Sequence, residues 1–367
     1  MQYSRADAPA AAYIVYGSDY TRMTKQLLHD VEMQPLPNRA AHIALKPNLV
    51  VSRPAPGGAT THPEVVAGVI EFLQDCGCTN ITIMEGSWVG DDTRRAFSAC
   101  GYEALAKRYG VKLHDLKKDA ATPVDTPAGP IKVCKSILAA DYLINLPVLK
   151  GHCQTRMTCA IKNLKGCIPD SEKRRFHSEG LDHLIAGLPF AVKPDLTLVD
   201  GICGDLDFEE GGNPVRADRL VLGTDLFGID LLACHFMGMD PADVGYLAQA
   251  GEWGLGDIGA DPKSFIMTLN EPTTSQQIAS GGKVAKLAKF VDEDKACSAC
   301  YANLIHALQR LSEKRLQKSP PRICIGQGWK EKEIPTIGIG ECCRKANIHI
   351  PGCPPSAADI YAFLERA

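Results

Sequence analysis

The chain reads as an α/β protein: a parallel or mixed sheet with helices on both faces, followed by a small C-terminal cysteine-rich α/β domain. Three observations lead to this. Short apolar runs of strand length alternate with longer runs whose apolar residues recur three and four apart, and such alternation builds a sheet covered by helices. The 367-residue length and 45% hydrophobic content suffice for a buried core in two or three domains. Six of the fifteen cysteines fall after residue 296.

The elements follow in order. Residues 12–17 (AYIVYG) and 41–46 (AHIALK) have the composition of buried strands bounded by polar or proline-containing turns. A helix is expected over about 63–76, where Pro63 suits a first turn, Val65, Val66, Val69, Ile70 and Leu73 form one stripe, and Gly77 ends the run. A strand at 80–84, a helix around 94–109, a strand at 111–113, a short strand near 130–134 and a strand at 141–146 continue the alternation. It resumes at 195–199 and 219–222 and with an apolar, buried helix over about 225–238. Between these, 150–190 is a basic, cysteine-containing stretch and then a helix. Residues 252–282 are glycine-rich without periodicity and read as a surface excursion. An amphipathic helix after Cys300 points Leu304, Ile305, Leu308 and Leu311 inward, and strands near 322–326, 335–339 and 347–350 and a helix at 356–365 complete a second domain. The expected division is 1–285 for the main domain with a basic cleft and 286–367 for the cysteine-rich domain.

A net charge of −3 gives no bulk electrostatic reason to expect nucleic acid or an anionic membrane as partner. No window holds the 18 or so apolar residues of a membrane span, and the first residues lack a signal-type apolar core; a cytoplasmic protein is expected. In a reducing compartment the upstream cysteines are small buried apolar residues rather than disulfides. There is no GxGxxG after a strand, no GxxxxGK[ST] and no GxSxG, so nothing supports a nucleotide cofactor.

The clustered cysteines point to a metal centre. Cys297 and Cys300 form a CxxC at a helix start, Cys342 follows the strand IGIG, and Cys353 lies between Gly352 and Pro354 before the last helix. Four thiols on loops and helix N-termini supply the ligands of an iron-sulfur cube or a structural zinc. Cys324 sits inside the apolar strand RICIG and Cys343 points away from its neighbour, though Cys343 remains a substitute for Cys342. The PGCPP segment, with Gly340-Glu-Cys342 ahead of it, resembles the cluster-binding segment of hydrogenase small subunits and of the related complex I subunit. That resemblance implies a [4Fe-4S] cluster, with zinc as the alternative.

The segment KGHCQTRMTCAIKNLKGCIPDSEKRRFH concentrates positive charge after the strand LINL, at a strand C-terminus where open α/β sheets bind ligands. Lys46-Pro-Asn48, Arg53-Pro54 and Glu85-Gly86-Ser87 end other strands in the same way. Such strand ends suit a small anion, clamped by Lys46, Asn48, Arg53, Lys162, Asn163, Lys165 and His177, while Lys150, His152 and Glu85 are candidate catalytic groups. Lys173, Arg174 and Arg175 read instead as a solvated face.

The combination KPNLV, THPEVVAGVIEFL, MEGS, LINLPVLKGH, AIKNLKGCIP, VDGI and GTD resembles the family catalogued as domain of unknown function 362, over most of residues 40–240. The resemblance implies an α/β domain and, in many members, an iron-sulfur cluster. Arg53-Pro-Ala-Pro56, His152 and His177 also give a fainter likeness to nickel-pincer lactate racemase, but AIKNLKG replaces the glycine-rich stretch that family carries ahead of its second histidine. The expected function is an iron-sulfur redox protein, an oxidoreductase if it turns over, in which a [4Fe-4S] cluster serves an anionic small-molecule site. The alternatives are a non-catalytic electron carrier that docks on a redox partner protein, and a non-redox isomerase or racemase with zinc or nothing at the C-terminal site.

Overall fold

The structure, a computed structural model, describes residues 12–31, 37–271, 283–311 and 322–366. The chain forms two compact units. The first comprises residues 1–151, 157–173 and 182–280, and the second residues 152–156, 174–181 and 281–367. The second unit thus takes two short pieces from the basic segment.

The first unit is built on an eight-stranded sheet. Its strands are β1 (Ala12–Tyr16), β2 (Ile43–Pro47), β3 (Ile81–Glu85), β4 (Lys112–Asp115), β5 (Tyr142–Leu146), β6 (Leu196–Asp205), β7 (Pro214–Gly223) and β8 (Ile266–Thr268), in the order β8-β1-β7-β6-β5-β2-β3-β4. The sheet is mixed. Strands β4, β3, β2, β5 and β6 are parallel, β7 runs antiparallel to both β6 and β1, and β8 is parallel to β1. The central strands are covered on both faces: β2, β3 and β5 are buried at every position, and polar only at Thr82 and, toward their C-terminal ends, at Lys46, Glu85 and Asn145.

Helix α1 (Tyr20–Asp30) packs on α2 (Pro63–Asp75), whose inward stripe is the expected one: Val65, Val66, Val69, Ile70 and Leu73 are buried. The start of α2 is tied to β6, since Asp200 Oδ2 accepts from His62 N at 2.7 Å and lies 2.8 Å from His62 Nδ1.

Several elements differ from the sequence reading. The expected helix over 94–109 is two, α3 (Thr93–Ala99) and α4 (Tyr102–Tyr109), because Gly101 between them has a φ of +80° that breaks the helical path. The strand near 130–134 pairs in a separate hairpin with Ala121–Val124 rather than joining the large sheet. Strands β6 and β7 extend to ten residues each, since they pair over nearly their whole length with a bulge at Gly201/Cys203. The glycine-rich excursion contributes edge strand β8, while its residues 272–282 lie outside the described residues.

In the second unit four parallel strands, β9 (Val291–Glu293), β10 (Ile323–Ile325), β11 (Ile334–Ile339) and β12 (Ala346–Ile350), form one sheet in sequence order. The sequence reading did not include β9. Two helices, Ser298–Arg310 and Ala357–Leu364, pack together, joined by a hydrogen bond of 2.8 Å from Asn303 Nδ2 to Pro355 O. Leu304, Ile305 and Leu308 are buried as expected; Leu311 lies one residue past the helix and is half-buried.

Candidate functional site

In the first unit the C-terminal ends of β2, β3 and β5 meet in a layer of buried polar groups. The parallel register sets Lys46 beside Asn145. Lys46 Nζ donates to Glu85 Oε2 at 2.8 Å and to Pro47 O at 2.7 Å, with both side chains buried. The carboxylate of Glu85 also accepts from Leu49 N on Oε2 (2.9 Å) and from Gly86 N on Oε1 (2.7 Å). Asn163 Nδ2 bridges Lys46 O (3.2 Å) and Asn145 Oδ1 (2.8 Å). Gly166 closes the layer: a Cβ there would stand 2.3 Å from Glu85 Oε1 and 2.5 Å from Lys46 Nζ, so no side chain fits over the ion pair.

Lys150 is fully buried and holds three loops together. Its ammonium donates to Ala59 O (2.5 Å), Glu209 O (2.8 Å) and Asn48 Oδ1 (3.4 Å). Burial pushes its pKa down to about 7, against the opposing charges of Glu209, Glu85, Asp205 and Glu210. The structure thus brings Lys46, Asn48, Glu85, Lys150 and Asn163 into one internal network, with the donors of both lysines directed at protein acceptors.

Arg53 is exposed, and its Nη1 donates to Glu210 O at 3.0 Å. Lys162 is buried near Asp182, whose carboxyl is pushed above the ordinary carboxylate range by burial, with the Lys162 charge opposing. Lys165 is half-buried.

Lys173 corrects the sequence reading. It is buried rather than solvated, and its Nζ donates to Gly86 O (2.9 Å) and Ser87 O (2.8 Å) at the end of β3, with Asp170 Oδ1 at 3.4 Å. Nothing in the run KRR distinguishes it; the helix Asp170–Glu179 turns this one lysine inward and leaves Arg174 exposed. Sequence reasoning also missed Asn145 and Gly166.

His152 and His177 belong to the second unit. Nδ1 of His152 accepts from Gln154 N (3.1 Å) and Thr155 N (3.3 Å), and His177 is half-buried on its helix. Gln154 Nε2 donates to Ala296 O at 2.8 Å, which fixes this loop beside the residue preceding Cys297.

The C-terminal cysteines are reduced rather than disulfide-bonded. Cys300 lies within electrostatic reach of Cys297, Cys353, Cys342 and Cys343; burial first, and then these neighbours, push its pKa up to about 12. Cys353 in turn acts on Cys342. Gly340, two residues ahead of Cys342, has a φ of +85° that favours glycine, and a Cβ there would be in ordinary contact with Cys300 Sγ at 3.8 Å. Cys343 is buried with its Sγ on Cys324 O at 3.5 Å, and Cys324 is buried in β10, so both are packed as structural thiols. Cys353 is exposed and Cys297, Cys300 and Cys342 are half-buried. A thiol pushed as high as Cys300 stays protonated unless a cation compensates its charge, and thiols grouped in this way could hold a metal ion.

A mixed α/β sheet carrying an internal polar network at its strand ends, accompanied by a small parallel α/β unit bearing grouped thiols, defines the class of protein. Residues 43–235 match the family described as Domain of unknown function (DUF362), and the chain belongs to that family. It is similar to a thylakoid-associated protein of Synechocystis sp., 29% identical over 230 residues, which are 60% of this chain and 70% of that protein. Among solved structures it is similar to the lactate racemase apoprotein from Thermoanaerobacterium thermosaccharolyticum, with 13% identity and a TM-score of 0.40. That match covers 63% of this chain and 57% of the racemase, so the chain spans less than two thirds of the racemase's length. Among the described residues, no helix is long and apolar enough to cross a membrane.

Proposed function

We propose that the chain is a redox protein that holds a [4Fe-4S] cluster on Cys297, Cys300, Cys342 and Cys353. The observation that carries this reading is the grouping of four cysteine thiols in one compact unit, Cys297 and Cys300 from the start of a helix and Cys342 and Cys353 from loops that follow β11 and β12. When bound, such a group supplies one-electron transfer. The chain's own part is to aim four sulfurs from one helix start and two loops and to bury three of them in part, while exposed Cys353 favours electron exchange with a partner protein. An anionic small molecule is the substrate class proposed for the α/β domain. Arg53 is its first contact, because its guanidinium is exposed and planar with donors to spare beyond Glu210 O.

Anaerobic reconstitution with ferrous iron and sulfide tests the first part. The expected result is equal amounts of iron and acid-labile sulfide, lost when any one of the four cysteines is changed to serine and retained in Cys324→Ser. Stoichiometric zinc without sulfide would replace this reading with a structural zinc site. Turnover then separates an oxidoreductase from an electron carrier: reduction of a panel of small carboxylates and phosphates, weakened at least tenfold by Arg53→Ala, supports the enzyme.

A further inference from the structure

A short turn in the second unit is built to hold one side chain against a cluster ligand. Gln327 Nε2 lies 3.6 Å from Cys297 Sγ, within reach of an N–H···S hydrogen bond. The turn is clamped on both sides of this residue: Gln327 N donates to Lys295 O at 3.0 Å, Gly328 N to Asp294 O at 2.9 Å and Trp329 Nε1 to Asp292 O at 3.1 Å. Both flanking glycines are required for this docking. A Cβ on Gly326, whose φ is +122°, would lie 2.0 Å from Asp294 O, and one on Gly328 would lie 2.0 Å from Asp294 Cγ. Gly326-Gln327-Gly328 is thus pressed onto the residues that lead into Cys297, and the only side chain between the two glycines is a neutral amide donor.

We infer that Gln327, by donating its side-chain N–H to Cys297 Sγ, sets the reduction potential of the metal centre. This rests on the proposed cluster. An N–H donated to a ligand sulfur stabilises the added negative charge of the reduced state more than it stabilises the oxidised one, and so raises the potential. Lys330, at the end of the same turn, adds a positive charge within electrostatic reach of Cys342 and acts in the same direction. Gln327 moves no proton and takes no part in electron transfer beyond this stabilisation; the electron comes from an external low-potential donor.

The test is a dithionite titration of the full chain, reconstituted anaerobically with ferrous iron and sulfide and followed by electron paramagnetic resonance. Gln327→Leu removes the donor at similar volume; it is expected to keep the wild-type iron and sulfide content and to shift the equilibrium about tenfold against the reduced state, about 59 mV lower for one electron. Gln327→Lys keeps an N–H donor and adds charge, and is expected to move the potential the other way. Should the leucine variant load poorly, the lysine variant decides by the sign of its shift. Wild-type potentials in variants that carry iron and sulfide would overturn this inference and leave the cluster standing. A wild-type chain that takes up no iron and sulfide would overturn both.

Discussion

Among single residues, the sharpest result is that Lys46, which the sequence suggested as a substrate contact, and Lys150, which it suggested as a catalytic group, are both turned inward. Lys46 is half of a buried pair with Glu85, whose two oxygens each hold a backbone amide as well. Removing one partner of such a pair strands the other, so Lys46→Met is expected to cost about 3 to 5 kcal/mol in urea unfolding, and Lys46→Met combined with Glu85→Leu to cost less than the sum of the single changes. Additive costs would refute the pairing. For Lys150 the expectation concerns pH. Its folded pKa is depressed to about 7 from the ordinary 10.5, so between these values the unfolded chain holds a proton that the folded chain has released. Stability from this group therefore rises as pH increases through that window and is flat below it, by about 2 kcal/mol between about pH 7 and pH 9. Lys150→Met is expected to abolish this rise while losing about 3 kcal/mol through the stranded acceptors; parallel urea midpoints at the two pH values check both. The residues of this network were visible as types at strand ends, but their pairing was not. Whether a lysine faces solvent or a neighbouring carbonyl depends on loops more than a hundred residues away in the chain, as with Lys150 and Asn48.

For the elements, what the sequence made legible were those with a strong period of their own. The valine and isoleucine stripe of α2 and the mainly apolar runs of β2, β3 and β5 need no tertiary information, because one face of the helix and most positions on both faces of the strands are apolar. Two of the elements that escaped are short and depend on pairing: β8 and β9 have three residues each and exist because a neighbouring edge accepts them, while the eleven-residue α1 escaped as well. The packing of α1 on α2 is likewise a matter of contact. At Gly68 a Cβ would stand 2.5 Å from Thr21 O and 2.6 Å from Thr24 Cβ, so the two helices touch through the bare backbone of α2. Gly68→Ala is expected to force them apart and to lower stability by about 1 to 3 kcal/mol, read as a fall in the thermal midpoint, whereas Gly57→Ala, where nothing lies within 4 Å, is expected to leave the midpoint in place. An unshifted midpoint in Gly68→Ala would rule out the close approach.

Over the whole molecule, the division of the chain involves more than its composition marks. A composition shift marks where the cysteine-rich portion begins, yet the second compact unit also owns residues 152–156 and 174–181, which no compositional boundary could reveal. Gln154 shows why this matters, since its amide holds Ala296 O one residue ahead of Cys297. Residues 281–367 expressed alone are therefore expected to take up iron and sulfide less completely than the full chain, and Gln154→Ala in the full chain to lower uptake in the same direction. Equal loading by the isolated piece would show that the borrowed loop is dispensable. In the reverse experiment, a chain ending at residue 280 is expected to keep the eight-stranded sheet but to be cut by trypsin after Arg156, Arg174 and Arg175, because the pieces carrying them have lost the rest of their unit.

The borrowed pieces also constrain how the protein is born. They leave the ribosome early, well before the last cysteine has been translated, and must wait unfinished until the tail arrives to enclose them. Final assembly of that unit thus follows synthesis of Cys353, and an inorganic cargo held by all four thiols would be enclosed only after that point.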